Sequence, residues 1–98
     1  MAVTSSFGTQ AKLLGALANE KRLQILTIIQ AKETGVSELA AKVGLSQSAL
    51  SQHLAKLRAD ELVTSRREST NIYYSTDNEA VRKILDLLAN FESSSTSS

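Results

Sequence analysis

The sequence predicts a mainly α-helical domain with one small β-hairpin, in the order α-α-α-α-β-β-α. Three observations carry that prediction. Apolar residues recur at helical spacing on both sides of Gly44, so Val36–Leu57 reads as two short helices meeting at a corner. Two runs rich in β-branched and aromatic residues, Leu62–Arg67 and Ile72–Thr76, follow at once around the polar turn Glu68–Asn71. Helical periodicity returns at Val81, Ile84, Leu85, Leu88 and Phe91. The 98 residues are enough for one domain and little more. It is expected over residues 7–92, between a flexible N-terminus (1–6) and a disordered Ser-rich tail (93–98).

Each element has a local reason. Phe7–Leu17 is a helix with Leu13, Leu14 and Leu17 available for burial. Asn19 caps the next, Glu20–Lys32, and Glu20 suits the positive end of its dipole. Leu23, Ile25, Leu26, Ile28 and Ile29 make that helix apolar almost all round, which places it centrally. Gly35 ends the helical region and Ser37 is expected to cap the next helix, with Leu39, Ala40 and Val43 inward. Gly44 breaks it, Leu45 plugs the corner, and Ser46 caps a helix running to about Asp60 with Leu50, Leu54 and Leu57 as its apolar stripe. Thr76-Asp77-Asn78-Glu79 fits a capping box for the last helix.

Composition excludes several classes of function. Without cysteine there is no disulfide, thiolate metal site or thiol redox chemistry. No apolar run is long enough to span a membrane, and the N-terminus lacks the basic start and apolar stretch of a signal peptide, so the bacterial cytoplasm is the expected location. One histidine and no cysteine leave no nucleophile–base pair, so no enzyme activity, cofactor or metal is expected. Aromatics are 4% of the chain, so the core is aliphatic; a core this small favours association with a second copy. The net charge of +1 is uneven, because Lys42–Arg67 holds five basic residues against two acidic ones.

A two-helix corner followed by a hairpin is the pattern of a winged helix-turn-helix, which points to DNA. Counting about 100° per residue from Gln47, Leu50, Leu54 and Leu57 fall near about 300°, 340° and 280°. Ser51, Ala55, Ser48 and Gln52 fall near about 40°, 80°, 100° and 140°, opposite that stripe. Gln47, Ser48, Ser51 and Gln52 are hydrogen-bonding side chains with no acid among them, where a solvated helix would carry a Glu/Lys mixture. Glutamine can bond adenine N6 and N7 together, and serine suits base edges or phosphate. Lys56 and Arg58 flank this face and suit phosphates, and Arg66 and Arg67 lead into the hairpin tip as wing contacts. His53 lies on the shoulder of the apolar stripe and reads as a packed or hydrogen-bonded histidine, since a metal site needs partners the sequence lacks. Tyr73 and Tyr74 point to opposite faces, one of them under the wing.

Three segments match a known family: ALANEKRLQIL (Ala16–Leu26), ELAAKVGLSQSALSQHLAKLRADELV (Glu38–Val63) and the hairpin Arg66–Ser75. The chain resembles the ArsR/SmtB-type winged-helix repressors, and within them the NolR/HlyU-like branch without metal-site cysteines. The resemblance implies a homodimeric repressor that occludes an inverted-repeat operator in double-stranded DNA. It implies Gln47, Ser48, Ser51 and Gln52 as groove residues and Arg66 and Arg67 in the wing. It also implies dimerisation through the first and last helices, for which Leu13, Leu14, Leu17, Ile84, Leu88 and Phe91 are the candidates. The departures concern the effector. The family's metalloid thiolates, zinc-site histidines and redox cysteines have no counterpart in Ser37–Val43 or Asp77–Phe91. Two alternatives stay open: a sensor with an oxygen-ligand metal site at Asp77, Glu79 or Asp86, or a small-molecule site, and a helix-turn-helix adaptor that binds protein.

Overall fold

A computed structural model describes residues 6–96. Its helices are α1 (Phe7–Leu17), α2 (Glu20–Ala31), α3 (Val36–Val43), α4 (Gln47–Ala59) and α5 (Glu79–Thr96). Its strands are β1 (Thr34–Gly35), β2 (Thr64–Glu68) and β3 (Asn71–Ser75), antiparallel in the order β1-β3-β2. The predicted order holds, with one strand added. β1 is only two residues long and carries no β-rich run; Thr34 and Gly35 become a strand by pairing with Tyr74 and Tyr73. A Cβ on Gly35 would lie 3.3 Å from the Tyr73 ring, close enough that the ring would have to shift by a few tenths of an ångström.

Side chains set the helix ends. Asn19 Oδ1 accepts from the Arg22 amide at 3.0 Å and Ser46 Oγ from the Ala49 amide at 3.1 Å, as expected of both caps. Two expected caps are corrected. α3 turns into helix directly after strand residue Gly35, which leaves Ser37 inside the first turn rather than ahead of it. At α5 the capping oxygen belongs to Asn78, which accepts from the Val81 amide at 2.9 Å; Thr76 Oγ1 instead donates to the Leu62 carbonyl at 2.7 Å. α5 then continues to Thr96, into the segment expected as a Ser-rich tail, each added residue extending an already nucleated helix. Residues 1–5 and 97–98 lie outside the described residues.

The corner between α3 and α4 is made by Gly44, at φ +69°, with the Leu45 amide bonded back to the Ala40 carbonyl at 3.0 Å. The same closure ends α4: the Leu62 amide reaches the Leu57 carbonyl at 2.9 Å, and Glu61 takes the left-handed position at φ +60°.

The core is aliphatic, as the composition demands. Ile25, Leu26 and Ile29 of α2 are fully buried and meet Leu39, Leu50, Leu57 and Val81. Leu62 and Val63, expected in the first hairpin strand, are buried ahead of it, and Tyr74 is the tyrosine under the wing. Leu17 is corrected too: at 4% exposure it belongs to its own protomer's core and leaves the candidate dimer set. Burial of Leu50, Leu54 and Leu57 fixes the rotation of α4 and turns its opposite face to solvent.

Candidate nucleic-acid interface

Gln47, Ser48, Ser51 and Gln52 all lie on the exposed side of α4. Among the described residues none of these side chains hydrogen-bonds elsewhere in the protein, so their donors and acceptors remain open to a ligand. Ala55, also exposed, keeps the middle of the face low. A cleft of about 410 Å³ separates the start of α4 from the hairpin, with Gln47 on one wall and Thr70, Asn71 and Ile72 on the other. A second depression joins Ser51, Ala55 and Arg58 to Tyr74 of β3. The polar face of α4 and the hairpin thus form one continuous surface.

Its cations differ in how far they are committed. Lys56, expected as a phosphate contact, turns back to Asp60, with Nζ 3.1 Å from Oδ2. That carboxylate is 7% exposed and also meets Lys12 at 3.6 Å. Oδ2 has no partner at a good hydrogen-bonding angle, so the Lys56 contact answers its charge rather than its lone pair. Arg66, expected at the wing tip, is held by both oxygens of Glu33, at 2.8 Å each, and by Glu68 at 3.0 Å. Its Cζ stands 4.8 Å from the centre of the Tyr73 ring. The hydrogen bond from Arg66 holds the Glu33 carboxyl below its ordinary range. Arg67 is exposed and makes no ion pair among the described residues. Arg58 is exposed with only a 3.4 Å bond to the Tyr74 hydroxyl. The uncommitted positive charge beside the face is therefore Arg58 and Arg67.

Two basic residues of α2 fix the corner against the rest of the domain. Lys21 Nζ donates to the Val43 carbonyl at 2.7 Å and caps α3. Arg22 donates to the Ala16 carbonyl at 2.6 Å at the end of α1 and lies 3.4 Å from His53 Nδ1 on α4. Arginine can only donate, so Nδ1 is the acceptor. His53 is the hydrogen-bonded, half-buried residue its position suggested.

A second surface is apolar. Among the described residues, the large hydrophobic side chains that stay exposed all sit on α1 and α5: Phe7, Leu14, Leu87, Leu88 and Phe91. Leu14, Leu88 and Phe91 of the expected dimer set are in this group, at 56%, 40% and 69% exposure. Leu13 and Ile84 are half-buried against their own core and border the patch. Phe7 and Leu87 were missed; their signal was that the core-facing positions on each helix were already filled. Of the carboxylates considered for a metal, Glu79 and Asp86 both turn to Arg82, at 2.6 and 3.5 Å. No cluster of three metal-ligating side chains occurs among the described residues.

The bacterial regulatory proteins of the arsR family share a sequence pattern that matches residues 19–65, which hold the whole two-helix corner. The transcriptional activator HlyU of Vibrio cholerae is 49% identical over 76 residues, 78% of this chain and 70% of HlyU. The chain belongs to the arsR family. The nodulation protein NolR of Rhizobium meliloti is 57% identical over 79 residues, 81% of this chain; the chain spans 65% of the length of NolR. The crystal structure of NolR from Sinorhizobium fredii superposes with a TM-score of 0.84 at 48% identity, covering 93% of this chain and 96% of that one. A homodimeric winged helix-turn-helix DNA-binding domain from Mycobacterium bovis, described as a possible ArsR-family regulator, superposes at 0.77 with 32% identity, over 95% of this chain and 91% of that domain. Membership in this family makes the chain a transcriptional regulator of the winged helix class rather than an enzyme. Among the described residues no helix is long and apolar enough to cross a membrane.

Proposed function

We propose that the protein acts as a homodimeric repressor that binds an inverted-repeat operator in double-stranded DNA in the bacterial cytoplasm. The observation that carries this reading is the acid-free face of Gln47, Ser48, Ser51 and Gln52, exposed and uncommitted at the start of a helix whose other side is locked in the core. Such a helix fits the major groove N-terminus first. The two glutamines can pair with adenine edges, and the serines with base edges or phosphate. Arg58 and Arg67 flank that face and suit the phosphates along the groove. The exposed apolar side chains of α1 and α5 support a two-fold dimer, because large hydrophobic groups left exposed in this way mark association. Symmetry then presents two α4 helices to successive turns of one DNA face, and the bound dimer occludes the polymerase.

Duplexes selected from a random-sequence pool by the wild-type protein provide the probe. Gln47→Ala and Ser51→Ala should each lower discrimination between the selected and a scrambled duplex by about 1–3 kcal/mol for each base pairing removed, about 5- to 150-fold. Unchanged discrimination in both variants refutes the assignment of the groove face.

A further inference from the structure

The two arginines of the wing are neighbours in sequence and opposite in placement. Across the hairpin Arg66 pairs with Tyr73 and Arg67 with Ile72, so their side chains leave opposite faces of the sheet. Tyr74 lies on the same face of the sheet as Ile72 and Arg67 and borders a depression with Ser51, Ala55 and Arg58 of α4, which puts Arg67 on the side turned toward the groove face. Arg66 leaves the other face and meets Glu33, on the segment between α2 and β1, in a two-point ion pair. Glu33 precedes β1 directly, and β1 is the strand that joins the hairpin to the body through β3.

We infer that Glu33 and Arg66 are positioning residues that set the angle of the wing, and that Arg67 is the cation the wing offers to DNA phosphate. This rests on the DNA-binding reading above. A planar guanidinium gripped by both oxygens of one carboxylate has its orientation fixed, where a lysine would be held at a single point. Glu68 and the Tyr73 ring close the remaining sides of Arg66. A phosphate would have to displace two carboxylates to reach it, whereas Arg67 has none to displace among the described residues.

The test measures affinity against salt concentration for a duplex selected by the wild-type protein and for a scrambled duplex of equal length. Arg67→Ala should weaken both duplexes and reduce the salt slope by about 0.9 for each phosphate no longer neutralised, about two in a dimer. Arg66→Gln should leave the slope unchanged while the selected duplex binds several-fold more weakly. Glu33→Gln should weaken binding to the same extent, the double variant no more, and the exchange Glu33→Arg with Arg66→Glu should restore affinity. A salt slope reduced by Arg66→Gln as by Arg67→Ala, together with tighter binding by Glu33→Gln, overturns the inference and makes Arg66 a phosphate ligand masked by Glu33. Full affinity in every Glu33 and Arg66 variant also overturns it. Absence of salt-dependent DNA binding by the unmodified protein would instead sink the DNA-binding reading, and is told apart because it appears before any substitution.

Discussion

Truncating Phe91 to alanine removes a ring from the apolar patch without touching the protomer's core. The ring is 69% exposed in the isolated chain, so about two thirds of the value of a fully buried side chain remains to be gained at an interface. A fully buried phenylalanine contributes about 1.5–3 kcal/mol, which leaves about 1–2 kcal/mol per protomer. A two-fold interface contains the residue twice, so the dimer should lose about 2–4 kcal/mol. Its dissociation constant should rise about 30- to 700-fold. Sedimentation equilibrium over a dilution series reads this directly, with helix content by circular dichroism confirming that the chain still folds. Val81→Ala supplies the contrast: that residue is fully buried, so its truncation should lower the melting temperature instead. A dissociation constant unchanged by both Phe91→Ala and Leu87→Ala would refute the placement of the interface on α5.

Two further outcomes concern backbone and charge. Glu61 holds a left-handed conformation after α4 that costs a side-chain-bearing residue about 1–2 kcal/mol, so Glu61→Gly should stabilise the fold by about 0.5–1 kcal/mol once the added freedom of the unfolded chain is subtracted; a lower unfolding midpoint in urea would contradict this. The folded Glu33 carboxyl is held below its ordinary value of 4.5 by Arg66, so the tie between them is intact above that pH and is lost as pH falls through the lower folded value. The Arg66 Nε–H signal in an NMR titration should therefore move only below pH 4.5, and Glu33→Gln should abolish the step; a signal indifferent to acid would show that the ion pair does not form in solution.

The helices were legible because their causes are local. Asn19, Ser46 and Gly44 act within one turn of themselves, and the 3.6-residue periods of α3, α4 and α5 show in the order of their apolar residues. The groove face followed from the same periodicity, since burying Leu50, Leu54 and Leu57 leaves only one side for Gln47, Ser48, Ser51 and Gln52. What escaped depends on partners distant in the chain. β1 exists because Tyr73 and Tyr74 pair with it, and two residues carry no strand signal of their own. Ser37 had the chemistry of a cap and lost the position to a strand that ends at Gly35. Arg66 and Arg67 are identical by type, and only the hairpin register and a carboxylate 33 residues away separate them. Leu17 and Leu14 likewise differ only in which side of α1 the core of this protomer occupies.

Selection of bound sequences from a random DNA pool, with the unmodified protein at physiological salt, tests the central claim most directly. A dimer presenting two α4 helices should enrich an inverted repeat with half-sites about 10–10.5 base pairs apart, centre to centre, or a whole multiple of that spacing. No enrichment, or a single half-site without a symmetric partner, would contradict it.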